Sequence, residues 1–499
     1  RFDCTTKSLP DLGLRQFGDQ EFNIVDTVKT LTKYAVLVTR ADKIKYHLDK
    51  ALFLALNGRP GPVWLDIPLD IQAATIDTRK LYEYDPAEDE AEVAAQIPKD
   101  IIDHVIQKIK TSEKPAIIAG SGIRLSHAEK KFKQMVKQLN IPVMTAWNSH
   151  DLIENTNPLY AGRPGTVGTR GGNFVFQNSD LLLVLGCRMN LRQIGYTWDK
   201  IAPNAFKIMV DIDTAELKKK SFKVDLPVQG DCKHFIEKIL ETKYRKISPG
   251  KNNWVKWCRS INSKDDPAKE ILKTRKLNPY LFFSRVCQML PEEQITITSN
   301  GSACVIPFQV AEIKKRQRLF TNSGCASMGY GLPAAIGGCI AAGRNKVVCL
   351  EGDGSIQMNI QELQTVIKNE LPLKIFVTNN NGYHSIRQTQ HNFFHSKYAG
   401  VDNDSGVSFP DLGKISRAYG IKYFRIRSEK EIEKKVQAVM ESDMPALCEV
   451  VVDVACPFMP KSASKILPDG KMVSTSLDDM YPFLSDNEMA SNKYQLFEE

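Results

Sequence analysis

Glu351-Gly352-Asp353-Gly354-Ser355, preceded by the apolar run Lys346-Val347-Val348-Cys349-Leu350 and followed by Thr378-Asn379-Asn380-Asn381-Gly382, is the stretch whose reading decides the fold. The apolar run predicts a buried strand. Glycines on both sides of Asp353 permit a tight turn and let a ligand approach the backbone closely. Asn359 and Glu362 have capping-box spacing, and Ile360, Leu363, Val366 and Ile367 share a face, so a helix is expected from about Asn359 to Leu371-Pro372. Lys374-Ile375-Phe376-Val377-Thr378 then reads as a second strand. A right-handed β-α-β crossover would deliver Asp353 and Asn380 to one sheet edge, the edge at which open α/β sheets bind ligands. Mg²⁺ takes hard oxygen ligands, a few from protein and the rest from phosphate or water. Asp353, the Asn380 amide oxygen and a carbonyl near Gly382 make such a set, although Gly-Asp-Gly alone serves equally well as an ordinary sheet-edge turn.

Residues 352–380 resemble the thiamine-diphosphate motif, with Asp353 and Asn380 at its two metal-binding side chains. From Leu14 to about Leu484 the chain resembles the acetolactate synthase-like branch of the thiamine-diphosphate enzymes. The resemblance implies an α/β, three-domain architecture with parallel sheets flanked by helices. Residues 1–85 would be the later part of a pyrimidine-binding domain that is apparently incomplete, and 95–245 a central nucleotide-fold-like domain. Residues 246–275 would be a linker, 276–460 the diphosphate- and Mg²⁺-binding domain, and 461–499 a tail able to act as a lid. Thiamine diphosphate and Mg²⁺ are the implied cofactors, with FAD admitted against the central domain.

Ser299-Asn300-Gly301-Ser302 is a small-residue turn suited to binding diphosphate oxygens through Gly301 and Ser302 backbone N–H groups. A second stretch of small residues, 323–333, carries Met328, whose thioether is polarizable and adaptable. By resemblance Met328 is the wedge that keeps the cofactor bent, and the Ala326 carbonyl faces the pyrimidine amino group. Gly352, Gly354, Ser355, Gly382 and Tyr383 complete the implied cofactor contacts. Bending lets the cofactor remove its own proton and add to a carbonyl, while protein supplies orientation and electrostatics.

Gln20 matches a family position on the substrate side, and reads equally well as a turn residue. His384 could donate a proton or bind a carboxylate, because histidine titrates near neutrality. It could equally pack with Tyr383 at a helix start. Arg387 and Gln388 could recognise an anionic or hydroxylated acceptor. The family's activating Glu precedes the segment that resembles residues 14–21; no residue here occupies that position, and Glu21 does not substitute for it.

Other strands are expected at 35–38, 63–66, 115–119, 143–145, 181–185 and 208–212, with a helix over 44–57 and an acidic linker at 85–92. Asp211-Ile212-Asp213 suits either a ribose contact or a helix cap by Asp213. Gly162-Arg163-Pro164-Gly165 with Thr169-Arg170-Gly171-Gly172 could cradle a phosphate.

A chain of 499 residues exceeds one hydrophobic core. Its 67 Lys/Arg against 58 Asp/Glu, net +9, are dispersed without a basic tail or nucleic-acid motif, which mildly favours anionic substrates. Eleven cysteines in no paired motif speak for a reducing compartment rather than a disulfide framework. With neither a signal peptide nor an apolar run of ~18 residues, a cytoplasmic protein without membrane or nucleic-acid partners is expected. The leading expectation is decarboxylation of a 2-oxo acid, pyruvate by analogy, and ligation of its two-carbon unit to an oxo acid or keto sugar in a homodimer or homotetramer. A non-ligating decarboxylase, an ylid-dependent lyase and a catalytically silent scaffold are the alternatives.

Overall fold

The structure, a computed structural model, describes residues 2–92, 96–242, 249–264, 267, 274, 276–466 and 472–494. In the first unit β1 (Tyr34–Leu37) and β2 (Val63–Asp66) pair in parallel across the helix Ile44–Leu56. The acidic segment expected as a linker folds back on that helix. Tyr46 Oη donates to Glu88 at 2.6 Å, and Lys50 pairs with Asp89 at 2.9 Å.

The central sheet contains β3 (Pro115–Ala119), β4 (Val143–Thr145), β5 (Leu181–Leu185), β6 (Phe206–Asp211) and β7 (Leu226–Gln229), all parallel in the order β4-β3-β5-β6-β7. β3, β4 and β5 are buried throughout, because a parallel sheet is covered on both faces and its strands must be apolar on both. Alternate residues feed opposite cores: Ile117 and Leu183 on one face, Ile118 and Val184 on the other.

The polar segment expected as a linker over 246–275 contains a helix, Pro249–Lys264. Trp254, Cys258 and Ile261, spaced i, i+4, i+7, are buried in the second of those cores. Trp254 Nε1 also donates to the Pro115 carbonyl at 2.9 Å, so this part belongs to the central unit. The remainder of that linker, 246–248, 265–266, 268–273 and 275, lies outside the described residues. Asp213 caps the helix Thr214–Lys218 by accepting from the Ala215 amide, and its other oxygen pairs with Arg59, so its carboxylate is committed.

The third sheet comprises β8 (Ile295–Thr298), β9 (Arg318–Thr321), β10 (Val347–Gly352), β11 (Lys374–Asn379), β12 (Lys422–Ile426) and β13 (Ala446–Val451). All are parallel, in the order β12-β13-β11-β10-β8-β9. Gly352 lies opposite Thr378, so the turns after β10 and β11 leave the same edge side by side, with the end of β8 on the other flank of β10. The expected helix start at Asn359 is corrected. Residues Ile356–Glu362 form a 3₁₀ segment broken at Asn359 (φ −141°), and the α-helix runs over Leu363–Lys368. Asn359 does not cap: its Nδ2 donates to the Gly329 carbonyl at 2.8 Å, and its Oδ1 accepts from Gln361 Nε2 at 3.4 Å.

The 162–172 loop pair, read as a phosphate cradle, instead joins units. Arg163, fully buried, donates to Phe308 O (2.9 Å), Ala311 O (2.6 Å) and Asn155 Oδ1 (3.2 Å). Two of these acceptors are carbonyls at the C-terminal end of the helix Ser302–Val310, where helical carbonyls lack intrahelical partners and a cation is favourable. Arg170 donates to the carbonyls of Met480 and Pro482 in the tail. Leu477 and Met480 are buried there, so this part of the tail is packed onto the central unit.

Candidate functional site

Three strand ends bring together most of the expected cofactor residues. Gly301 (φ 56°) follows β8 and directly precedes the helix Ser302–Val310, whose N-terminus favours an anion. Its opposite end meets Arg163. Gly352, Asp353, Gly354 and Ser355 follow β10; Asn380, Gly382 and Tyr383 follow β11.

Asp353 is buried. Its Oδ1 accepts from the Gly354 amide at 2.9 Å and its Oδ2 from the Gly382 amide at 3.1 Å. Burial raises its carboxyl to about 7 despite those amides, which favour the charged form. Asn380 Nδ2 reaches Ser302 Oγ at 3.4 Å, while its Oδ1 is buried without a hydrogen-bond partner. A buried carboxylate that forms no ion pair among the described residues, together with an orphaned amide oxygen, is a donor set that fits Mg²⁺. Among the described residues no group of three or more His, Cys, Asp or Glu could hold a metal ion. Gly382 (φ 136°) has no room for a side chain, since a Cβ would lie 1.9 Å from Val401 O. Tyr383 contributes packing: its ring lies against Gly354 and edge-on to Phe409 at 5.6 Å.

Met328 stands on a loop whose neighbour is pinned twice. The Gly329 amide donates to Ser355 Oγ at 2.9 Å, and the Gly329 carbonyl accepts from Asn359. The Met328 side chain is left 42 % exposed. Ala326 adopts φ 52°, unusual for a residue with a Cβ, and its carbonyl accepts from Asn300 Nδ2 at 3.0 Å. Sequence reasoning gave no separate role at the site to Asn300 or Glu351, and read Asn359 only as a helix cap. For Glu351 the signal was a charged residue following an apolar run.

His384 is buried at the start of the helix His384–Phe393. Its Nε2 meets Gln388 Nε2 at 2.9 Å, and its ring stands edge-on to Phe458 at 5.1 Å. Burial, and next the charge of Arg387, push its imidazole down to about 4, so it is neutral at pH 7 and the expectation of titration near neutrality is corrected. Arg387 is also turned inward. It donates to Asn380 O (3.1 Å) and Asn381 O (2.7 Å) and faces Asp402, so it braces the 380–382 turn rather than waiting for an acceptor. Gln20 lies on an exposed turn of the first unit (φ 57°) and takes part in none of the cluster's hydrogen bonds. Glu21 is consumed locally, accepting from Thr6, Phe17 and Gly18; these bonds, the Thr6 hydroxyl first, hold its carboxyl down at about 2.

A flavin fits less well. At the ends of β3 and β5 a crevice of about 90 Å³ is lined by Ser121, Trp147, Arg188, Gln193 and Ser323 among others, well short of the roughly 300–1,000 Å³ of small-molecule sites. A Cβ on Gly120 would lie 2.1 Å from Gly186 O, so the two loops already touch, and Arg163 and Arg170 are spent on carbonyls. The residues present do not fit a flavin dinucleotide.

The description "Thiamine pyrophosphate enzyme, C-terminal TPP binding domain" matches residues 299–450, and "Thiamine pyrophosphate enzyme, central domain" matches residues 102–239. The chain is 28 % identical over 477 residues to a probable acetolactate synthase large subunit of Methanococcus aeolicus, covering 92 % of this chain and 77 % of that one. It is 29 % identical over 447 residues to the acetolactate synthase large subunit of Cyanidium caldarium, covering 87 % and 74 %. With the acetolactate synthase isozyme 2 large subunit of Escherichia coli K12 it shares 28 % over 465 residues, covering 92 % and 80 %.

Proposed function

The chain belongs to the thiamine pyrophosphate enzymes, in their acetolactate synthase-like branch, and on that premise we propose that it decarboxylates pyruvate and transfers the two-carbon unit to a second carbonyl, on an oxo acid or a keto sugar. It is a thiamine-diphosphate-dependent carboligase or decarboxylase; the donor, the acceptor and the residue roles are the proposed part. The observation that carries the reading is the buried Asp353 carboxylate beside the orphaned Asn380 oxygen at adjoining strand ends. These two residues would hold Mg²⁺, which would neutralise diphosphate charge there. The N-terminus of Ser302–Val310 and the Ser355 turn would receive the diphosphate.

When bound, thiamine diphosphate supplies the nucleophilic carbon and the electron sink that decarboxylation needs. The chain's own contribution is placement. Met328, fixed through Gly329, offers an apolar surface beside the turn, and the Ala326 carbonyl, oriented by Asn300, offers an acceptor. His384, neutral and tied to Gln388, would orient a substrate oxygen rather than deliver a proton. No step is assigned to flavin.

Met328 is open, and the first unit leaves Leu48, Leu52 and Leu56 exposed along one face of Ile44–Leu56. Both features support a site completed by a second copy in a homodimer or homotetramer. Among the described residues no helix is long and apolar enough to cross a membrane, and the cysteines, nine of them buried, are all free thiols.

The test is product analysis by mass with pyruvate alone, then with candidate oxo acids and keto sugars, in the presence of Mg²⁺ and thiamine diphosphate. A mass equal to acceptor plus the two-carbon unit is expected. Acetaldehyde alone would reject ligation in favour of simple decarboxylation.

A further inference from the structure

Glu351 lies outside the metal pair, yet three segments of the cofactor cradle converge on it. It is the penultimate residue of β10, with its side chain wholly buried, on a strand whose residues from Val347 to Leu350 are apolar. Burying a carboxyl among such neighbours is unfavourable unless its oxygens are used. The Ser299 hydroxyl from the end of β8, the Ser355 hydroxyl from the diphosphate turn and the Leu332 amide at the start of the helix Gly331–Ala341 surround this carboxyl and favour its charged form, although Oε2 itself is buried without a hydrogen-bond partner. The Gly352 amide donates to Oε1 at 3.2 Å. Oε2 lies so close to Gly331 that a Cβ there would approach within 2.1 Å.

The two hydroxyls also meet each other at 2.8 Å, and Ser355 Oγ accepts the Gly329 amide at 2.9 Å. A hydroxyl has one proton to donate and lone pairs with which to accept. With a carboxyl and a second hydroxyl beside it to receive that proton, Ser355 keeps a lone pair turned toward Gly329, and a chain of such bonds strengthens each member. Gly329 immediately follows Met328, and Leu332 lies four residues beyond it. Glu351 therefore touches both the support under the Met328 loop and the helix into which that loop runs.

We propose that Glu351 is a positioning residue which, through Ser355 and the start of Gly331–Ala341, fixes the Met328 loop in its productive conformation. The proposal rests on the thiamine-diphosphate reading of the site and assigns Glu351 no contact with cofactor or metal. The Asp353 carboxylate has its own supports in Gly354 and Gly382, so loss of Glu351 should loosen the loop without removing the metal anchor.

The experiment compares full-length wild type with Glu351→Leu, Glu351→Gln and Ser355→Ala, each with Mg²⁺ and thiamine diphosphate. It measures deuterium exchange at the reactive cofactor carbon, kcat with pyruvate and KM for thiamine diphosphate. Glu351→Leu should slow exchange and kcat by roughly 10- to 100-fold, the scale of a small misplacement at a reacting centre, with KM for thiamine diphosphate within about 3-fold of wild type by the same reasoning. Glu351→Gln keeps an acceptor oxygen and should restore most of the rate. Should Glu351→Leu fail to fold, Ser355→Ala, which cuts the link to Gly329 from the other side, should still slow exchange. Unchanged exchange in the folded variants, or a defect confined to KM for thiamine diphosphate, would overturn the positioning role. Absence of exchange in wild type would overturn the catalytic reading and, with it, this one.

Discussion

Asp353 Oδ2 accepts the Gly382 amide at 3.1 Å, joining two turns that leave adjacent parallel strands 29 residues apart in sequence. The bond aligns one proposed Mg²⁺ ligand with the turn that carries the other, Asn380. Removing either side chain should therefore abolish metal-dependent stabilisation. A ligand at about 100 times its Kd stabilises a folded protein by about 2.7 kcal/mol. Thermal-shift titrations with Mg²⁺ and thiamine diphosphate should show that rise in wild type and none in Asp353→Ala or Asn380→Ala. Turnover should fall by roughly 100-fold or more, beyond the 10- to 100-fold typical of losing an outer partner of a metal ligand. Equal shifts in wild type and both variants would remove the metal assignment.

Gly382→Ala tests the turn itself. At φ 136° a Cβ is strained, and at 1.9 Å from Val401 O it also collides with backbone. Such strain costs about 1–3 kcal/mol. The turn must shift, taking with it the amide that Asp353 accepts, so stability and Mg²⁺ affinity should fall together in denaturant melts and metal titrations. A variant that loses neither would show that the turn has room.

Arg163→Met addresses the junction between the central and third units. It would leave Phe308 O and Ala311 O without their buried donor, while Asn155 Oδ1 keeps the Ile313 amide at 2.9 Å. Unpaired buried acceptors cost about 1–3 kcal/mol each, so a loss on the order of 3 kcal/mol is expected after relaxation. Because Arg163 ties two units, calorimetry should also show their unfolding transitions drawn apart. A single unshifted transition would mean that the guanidinium is dispensable to the junction.

Legibility in the sequence followed the range of the forces involved. Strands at 63–66, 143–145 and 181–185 were readable to the residue, because short apolar runs between breakers are local signals. Asp353 and Asn380 were readable because their turns follow two such runs. Asn359 misled because its spacing to Glu362 suits a cap, while its amide is claimed by Gly329, thirty residues earlier. Arg163 and Arg170 misled in the same way. Arginine among glycines suits an anion, and nothing nearby in sequence announces carbonyls 145 to 312 residues away. The helix Pro249–Lys264 was hidden by its polar majority, although Trp254, Cys258 and Ile261 carried the period that betrays it.

Lys374, at the opposite end of β11 from Asn380, gives a pH signature independent of the site. Its ammonium is fully buried and donates to Ser442 O and Met444 O, both at 2.7 Å. Burial, reinforced by the nearby charge of Lys346, lowers it from the ordinary 10.5 to about 8. Between those two values the unfolded chain holds a proton that the folded chain has released, so stability rises as pH increases through this window. Below about pH 8 both states are charged and the burial penalty is present in full. The difference of 2.5 pH units between the two values corresponds to on the order of 3 kcal/mol. Measured against Lys374→Met, which does not titrate, wild type should gain relative stability in denaturant melts between about pH 8 and 10. A difference that stays flat across that range would show that Lys374 keeps its ordinary affinity for the proton.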